Sequence, residues 1–328
     1  MDKLSVRFSV IIPTYNGERT LAELLRIFER TPAKCFIEII CIDSHSTDNT
    51  VSIIKKYQKK IPRLRLYSIS KSSFNHGGTR NWGARISQGE FVLFLSQDVI
   101  PKSTKMFHYF LEDFSNRRVM AVYGKQQKDP KSPFIQQLEI TRDFTVLDRY
   151  LDSSGTLLQS KFHKLNLYDS ETFYLWYFLS NACACYRKSY ILRNPFPRLA
   201  YGEDYVVGRE IIQNGFIKIY DSRVQVNHAV KYGLFEHLKK EILSLEFHSD
   251  IVGKHKKINL ISKIKMIDKY EGNQSKINLY GDLLAMYIIK SLAFILVRSK
   301  IHQLSRLIQK RLIRFYEFFI VSIIGIFS

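Results

Sequence analysis

The chain has 328 residues, 45% of them hydrophobic and 24% charged, enough apolar material for a sizeable core and too much for a disordered or fibrous chain. Its 50 Lys and Arg against 30 Asp and Glu leave a formal charge of +20, which favours anionic partners such as nucleotide phosphates, acidic lipid head groups or nucleic acid without choosing among them. Cys35, Cys41, Cys183 and Cys185 lack the paired spacing of a zinc site and have apolar neighbours, so a reduced, cytoplasmic protein without a secretory leader is expected.

In chain order, residues 8–13 form an apolar run closed by Pro13, and residues 38–43 form another, closed by the polar cluster Ser44 to Asp48. Both read as buried strands that end in loops. Between and after them, Leu21, Leu24, Leu25 and Phe28, then Val51, Ile54 and Tyr57, recur at helical spacing. Residues 63–67 read as a third strand, 79–88 as a helix and 90–95 as a fourth strand. Such alternation predicts an α/β fold with a mostly parallel sheet flanked by helices, whose ligands sit beyond the carboxyl ends of the strands. Thr14 to Asn16, Asp43 to Asp48 and Ser96 to Asp98 occupy those ends.

Residues 125–164 are polar and without clear period, as in a long insertion near a site. An aromatic stretch at 173–186 follows, then Tyr201-Gly-Glu-Asp-Tyr205, a helix over 206–213 closed by Asn214-Gly215, a strand at 216–220, and His228. Residues 1–230 are expected to form one domain and 231–328 a basic helical region. No GxGxxG follows the first strand, which sets aside a dinucleotide oxidoreductase.

Ser9-Val-Ile-Ile-Pro-Thr-Tyr-Asn-Gly17 together with Glu38-Ile-Ile-Cys-Ile-Asp-Ser-His-Ser-Thr-Asp48 resembles the opening of glycosyltransferase family 2, and the pair is far more specific than either half. Phe74-Asn-His-Gly-Gly-Thr-Arg-Asn-Trp-Gly-Ala84, followed by Gly89-Glu-Phe-Val-Leu-Phe-Leu-Ser-Gln-Asp98, is similar to the rhamnosyltransferase-like branch. The likeness covers roughly the first 230 residues and not the last hundred. It implies a GT-A type, Rossmann-like fold and inverting transfer of a sugar from dTDP-rhamnose or a UDP-sugar. The acceptor it implies is a saccharide or lipid-linked saccharide of bacterial surface polysaccharide, such as capsule or O-antigen.

By the resemblance, Pro13, Thr14, Tyr15 and Asn16 line the nucleotide pocket and Asp43 bonds the base or ribose; taken alone, Asp43 would read as a turn or cap residue. Gln97 and Asp98 belong beside the donor, with Asp98 as ligand for Mg2+ or Mn2+ and Ser96 standing where the family has a first acid. His228 is a further metal ligand by family position and equally an ordinary loop histidine. Gly77 and Gly78 before Arg80 can offer backbone amides and a cation to a diphosphate, or serve as a plain glycine turn.

Glu203 and Asp204 suit a helix N-terminus in any protein; in the family this pair lies beside the acceptor, which makes Asp204 the base, with Glu203 orienting it or the acceptor. Ser180 and Asn181 match a region bordering the acceptor sugar, and Trp176 reads either as a stacking face or as core.

Beyond His228, Leu283, Leu284, Tyr287, Ile288 and Leu292, then Leu304, Leu307, Ile308 and Leu312, form apolar faces with Lys and Arg interleaved. That is the pattern of a helix lying on an anionic membrane, here the inner face of the cell membrane, or packing on the catalytic domain or another subunit, so self-association stays open. Nucleic acid is not an expected partner, since no helix-turn-helix, zinc-finger or RNP-type element is present. A catalytically inactive scaffold partner in a membrane-bound polysaccharide synthase is the alternative, motivated by Ser96.

Overall fold

The computed structural model describes residues 8–128, 143–161, 176–229 and 234–247, with positions 287, 288 and 291. The basic segments beyond residue 291 and most of the stretch at 283–297 lie outside the described residues. Two compact units divide the chain, Met1–Ser132 with Glu139–Val230, and Pro133–Leu138 with Lys231–Ser328.

In the first unit the order is β1 (Phe8–Thr14), α1 (Leu21–Arg30), β2 (Glu38–Asp43), α2 (Thr50–Gln58), β3 (Leu64–Ser68), α3 (His76–Ile86), β4 (Phe91–Leu95), β5 (Val99–Pro101) and α4 (Met106–Asp113). Then come β6 (Val119–Lys128), β7 (Thr156–Ser160), β8 (Cys183–Arg187), α5 (Lys188–Arg193), α6 (Glu203–Gln213) and β9 (Ile217–His228). In the second unit the described helix is α7 (Leu234–Phe247).

β2 and β4 are buried at every position and β1 at all but one, which is why they read as continuous apolar runs rather than alternating ones. Helix α1 turns Leu21, Leu24, Leu25 and Phe28 into the core beneath them. Among the described residues, nine strands form one sheet in the order β3-β2-β1-β4-β8-β6-β9-β5, with β7 beside β9.

The α/β class is as expected, but the sheet is mixed rather than mostly parallel. Pairs β1·β2, β1·β4, β2·β3 and β6·β9 are parallel, whereas β4·β8, β6·β8, β5·β9 and β7·β9 are antiparallel. Two of the antiparallel pairs come from β8, which enters between β4 and β6 and runs against both, and two from β5 and β7, each of which runs against β9. The apolar alternation of the first hundred residues says nothing of this return.

The stretch at 125–164, expected to be loop, contributes the end of β6 and all of β7, and β9 runs eight residues beyond the expected end at 220. Its extra length begins with a bulge. Gly124 on β6 pairs with Asp221, yet the next residue, Lys125, pairs with Gln225, so residues 222–224 are looped out. A Cβ on Gly124 would stand 2.6 Å from the Val224 carbonyl oxygen, so the bulge needs glycine opposite it. Past the bulge β9 pairs with β5, His228 opposite Val99, which brings His228 to the end of β4.

Gly124→Ala is expected to lower stability by about 1–3 kcal/mol through overpacking. Chemical denaturation reads this, and an unchanged midpoint would contradict the account of the bulge.

Candidate active site

The carboxyl ends of β1 and β2 are braced against each other. Thr14 Oγ1 donates to Asp43 Oδ1 at 3.1 Å, while Ser46 donates its hydroxyl to Oδ1 at 2.5 Å and its amide to Oδ2 at 2.9 Å. Asp43 is 1% exposed, so the contact expected of it with a base or ribose requires this network to open. Its observed work is to hold the loop. Asn16, in the left-handed region at φ 48°, receives the Thr47 amide on Oδ1 at 2.8 Å, and His45 at φ 65° is the second non-glycine residue there among the described residues. Pro13, opposite Ile42, precedes this loop and completes the β1 end.

Gln97, expected beside the donor, engages the main chain of Tyr15 with its amide. Oε1 accepts from Tyr15 N at 2.9 Å and Nε2 donates to Tyr15 O at 2.8 Å. Only an amide side chain supplies both ends of such a pair, which copies a strand ladder and binds the β1 loop to the residue before Asp98. Tyr15 presents its ring to Lys71, whose Nζ lies 2.5 Å from the phenol oxygen and 4.6 Å from the ring centroid. Lys71 was not singled out in the sequence, because it lies between the recognisable motifs.

The glycine loop is a packing feature. Asn75 caps α3 by accepting the Gly78 amide at 2.9 Å, and a Cβ on Gly77 would stand 2.2 Å from the Pro197 carbonyl oxygen. The Gly78 amide is therefore occupied within the protein rather than offered to a diphosphate.

Asp98 and His228, matched from distant parts of the sequence, come together: Nε2 of His228 is 3.4 Å from Asp98 Oδ2. Two ligands at about 2.1 Å from one octahedral cation stand about 3 Å apart, so the pair fits a hard divalent ion with one carboxylate and one imidazole. No group of three His, Cys, Asp or Glu side chains gathers among the described residues, so substrate oxygens would complete the shell. His228 Nδ1 meets Gln126 Oε1 at 2.6 Å, and Gln126 Nε2 donates to Ser180 Oγ at 2.7 Å. Gln126, buried on β6, also lay in the stretch that carries no sequence period.

At the start of α6, Glu203 Oε1 accepts from Arg80 Nη1 at 2.7 Å, both side chains being 7% exposed. Arg80, expected at a diphosphate, is thus turned to an acid of the opposite half of the domain. Asn181 Nδ2 approaches the same Oε1 at 3.4 Å, and its own Oδ1 is held by the buried Tyr186 phenol at 2.8 Å. The Asn181 backbone amide donates to Asp204 Oδ2 at 3.0 Å and the Tyr205 backbone amide to Oδ1 at 3.0 Å. Burial and the neighbouring Glu203 carboxylate push Asp204 up to about 7, against the lowering exerted by those amides and Arg80. A carboxylate poised there accepts a proton near neutrality. Trp176 and Arg209 are both half-buried.

Glu203→Ala would leave the Arg80 guanidinium buried without its partner and is expected to cost about 3–5 kcal/mol. A urea midpoint within the error of wild type would refute the structural weight given to this pair.

The family described as Glycosyl transferase family 2 matches residues 9–191, more than half of the chain. The chain is similar to the O-antigen chain rhamnosyltransferase WbaN of Salmonella anatum, 32% identical over 231 residues that cover 69% of this chain and 67% of WbaN. It is also similar to the poly(ribitol-phosphate) beta-N-acetylglucosaminyltransferase TarS of Staphylococcus aureus, 39% identical over 101 residues, which are 30% of this chain and only 18% of TarS. Among solved structures, S. aureus TarS 1-349 in complex with UDP-GlcNAc aligns with a TM-score of 0.53 at 19% identity, covering 86% of this chain and 81% of that one. The mannosyltransferase PcManGT from Pyrobaculum calidifontis, in complex with GDP-Man and Mn2+, aligns at 0.54 and 16% identity over 95% and 80%. These two structures share the GT-A fold. On the match of sequence over most of the first unit, the chain belongs to glycosyltransferase family 2, in its rhamnosyltransferase-like branch, and is a glycosyltransferase.

Proposed function

We propose that this transferase moves a sugar with inversion from dTDP-rhamnose or a UDP-sugar to a hydroxyl of a saccharide or lipid-linked saccharide in bacterial surface polysaccharide assembly. The observation that carries the reading is Asp204, raised to about 7 by burial and by Glu203 and fixed by the Asn181 and Tyr205 amides. In this reading Asp204 removes the acceptor hydroxyl proton as the oxygen attacks the anomeric carbon, and the bond to the diphosphate breaks on the opposite face. Glu203 orients the acceptor edge, with Arg80 holding Glu203 by the ion pair at 2.7 Å. Ser180 and Asn181 border the acceptor, and Thr14, Tyr15, Asn16 and Lys71 border the nucleotide.

Asp98 and His228 would hold Mg2+ or Mn2+ together with diphosphate oxygens, and the cation would neutralise the leaving group's charge. The rhamnosyl donor rests on the likeness to WbaN, and the UDP-sugar on the likeness to the TarS structure in complex with UDP-GlcNAc. A catalytically inactive scaffold is the second reading, favoured by Ser96 in place of the family's first acid. It predicts donor binding without turnover.

The catalytic unit is taken as residues 1–230 and the remainder as a basic region that lies on the inner membrane face. No helix among the described residues is long and apolar enough to cross a membrane. Flotation of the intact protein with anionic but not neutral liposomes is the expected result; equal flotation with both would remove the electrostatic part of this reading.

A base must be ionised to act, so kcat/KM should rise with pH through about 7 and level off above it. Asp204→Asn should lower kcat about 10²- to 10⁴-fold while donor binding is retained. Nucleoside diphosphate release from a panel of nucleotide sugars checks both, and a variant as active as wild type would move the base elsewhere.

A further inference from the structure

The ring of His228 is held from two sides at unequal distances. Nδ1 lies 2.6 Å from Gln126 Oε1, a short hydrogen bond, whereas Nε2 lies 3.4 Å from Asp98 Oδ2, beyond the ordinary N–H···O range. Gln126 is 6% exposed and pairs with Val226 in the register that follows the β9 bulge, so backbone on both strands fixes where its amide sits. Its donor end is taken, because Nε2 donates to Ser180 Oγ at 2.7 Å. That leaves Oε1 for His228. An amide oxygen accepts and cannot donate, so the proton of the neutral imidazole belongs on Nδ1 and the lone pair on Nε2.

We propose that Gln126 is a positioning residue that fixes His228 in the tautomer whose Nε2 lone pair faces Asp98. A histidine binds a cation through a lone pair, and the partner of its other nitrogen selects which one is offered. Were Nδ1 left without an acceptor, the Asp98 carboxylate would draw the proton to Nε2 and block the position it shares with that carboxylate. The use made of the lone pair rests on the donor-site reading of Asp98 and His228; the tautomer itself does not.

Long-range 15N–1H correlation spectra of the full-length, metal-free protein at about pH 8.5, some two units above the ordinary imidazole value, read the tautomer directly. His228→Ala assigns the resonance. Wild type is expected to carry the proton on Nδ1, Gln126→Glu to keep it there, since a carboxylate also accepts, and Gln126→Leu to move it to Nε2. In the presence of UDP or dTDP, Mn2+ binding followed by the loss of the free-ion EPR signal should weaken about 10- to 100-fold in Gln126→Leu. A wild-type proton on Nε2 would mean that the amide is turned over, and a tautomer unchanged in Gln126→Leu would mean that Gln126 does not set it; either overturns the proposal. The wild-type spectrum needs no variant, so a folding defect in Gln126→Leu does not remove the test. If the tautomer follows Gln126 while no form binds Mn2+ with either nucleotide, the positioning role stands and the donor-site reading fails.

Discussion

A buried ion pair between Arg80 and Glu203, 2.7 Å long with both side chains 7% exposed, joins the two halves of the catalytic unit. Arg80 comes from α3, in the half that carries the β1, β2 and β4 loop ends; Glu203 opens α6, in the half that carries Ser180 and Asn181. Taking two charges out of water costs more than their attraction returns unless other hydrogen bonds help. Here Asn181 supplies one to Glu203, and the His76 carbonyl accepts a second from Arg80 at 3.3 Å. The pair therefore reads as a device for position rather than for net stability. What it positions is Asp204, one residue on, whose carboxyl is raised by burial and then by the charge of Glu203 beside it.

The loop ends of β1 and β2 are positioned in a similar way. Its loop ends are braced by side chains against main chain: Gln97 on Tyr15, Asp43 on Ser46, Asn16 on Thr47, Asp48 on Glu18 and Thr50. Two of these loops hold a non-glycine residue at positive φ, a strain that the bracing pays for. Such pre-arrangement lowers the ordering cost of binding a flexible nucleotide sugar.

Much of this was legible in the sequence, and the parts that were not share a cause. Strands β1, β2 and β4, the helices between them and the functional loop ends follow from local period and from buried apolar runs. Asp98 and His228, which lie 3.4 Å apart, were related only through the family likeness, since no local pattern links residues so distant in sequence. The bulge on β9 that delivers His228, the antiparallel pairings of β8, β5 and β7 that make the sheet mixed, and the contact between Gln126 and His228 are all long-range facts. Most of the protein partners of the polar site residues are long-range facts as well. Asp43, Gln97 and Arg80 sit where ligand contacts were expected, yet each is engaged by a protein group, Asp43 by Thr14 and Ser46, Gln97 by Tyr15 and Arg80 by Glu203.

The central claim is that burial, with the Glu203 carboxylate beside it and against the lowering by Arg80 and the backbone amides, raises Asp204 into the range of a general base. Titration of the Asp204 side-chain carboxyl carbon by 13C NMR in the metal-free protein tests it most directly. The account predicts a midpoint of about 7. A midpoint in the ordinary aspartate range near 3.9 would contradict it and would leave the acidic pair as a helix-terminal feature with no part in proton transfer.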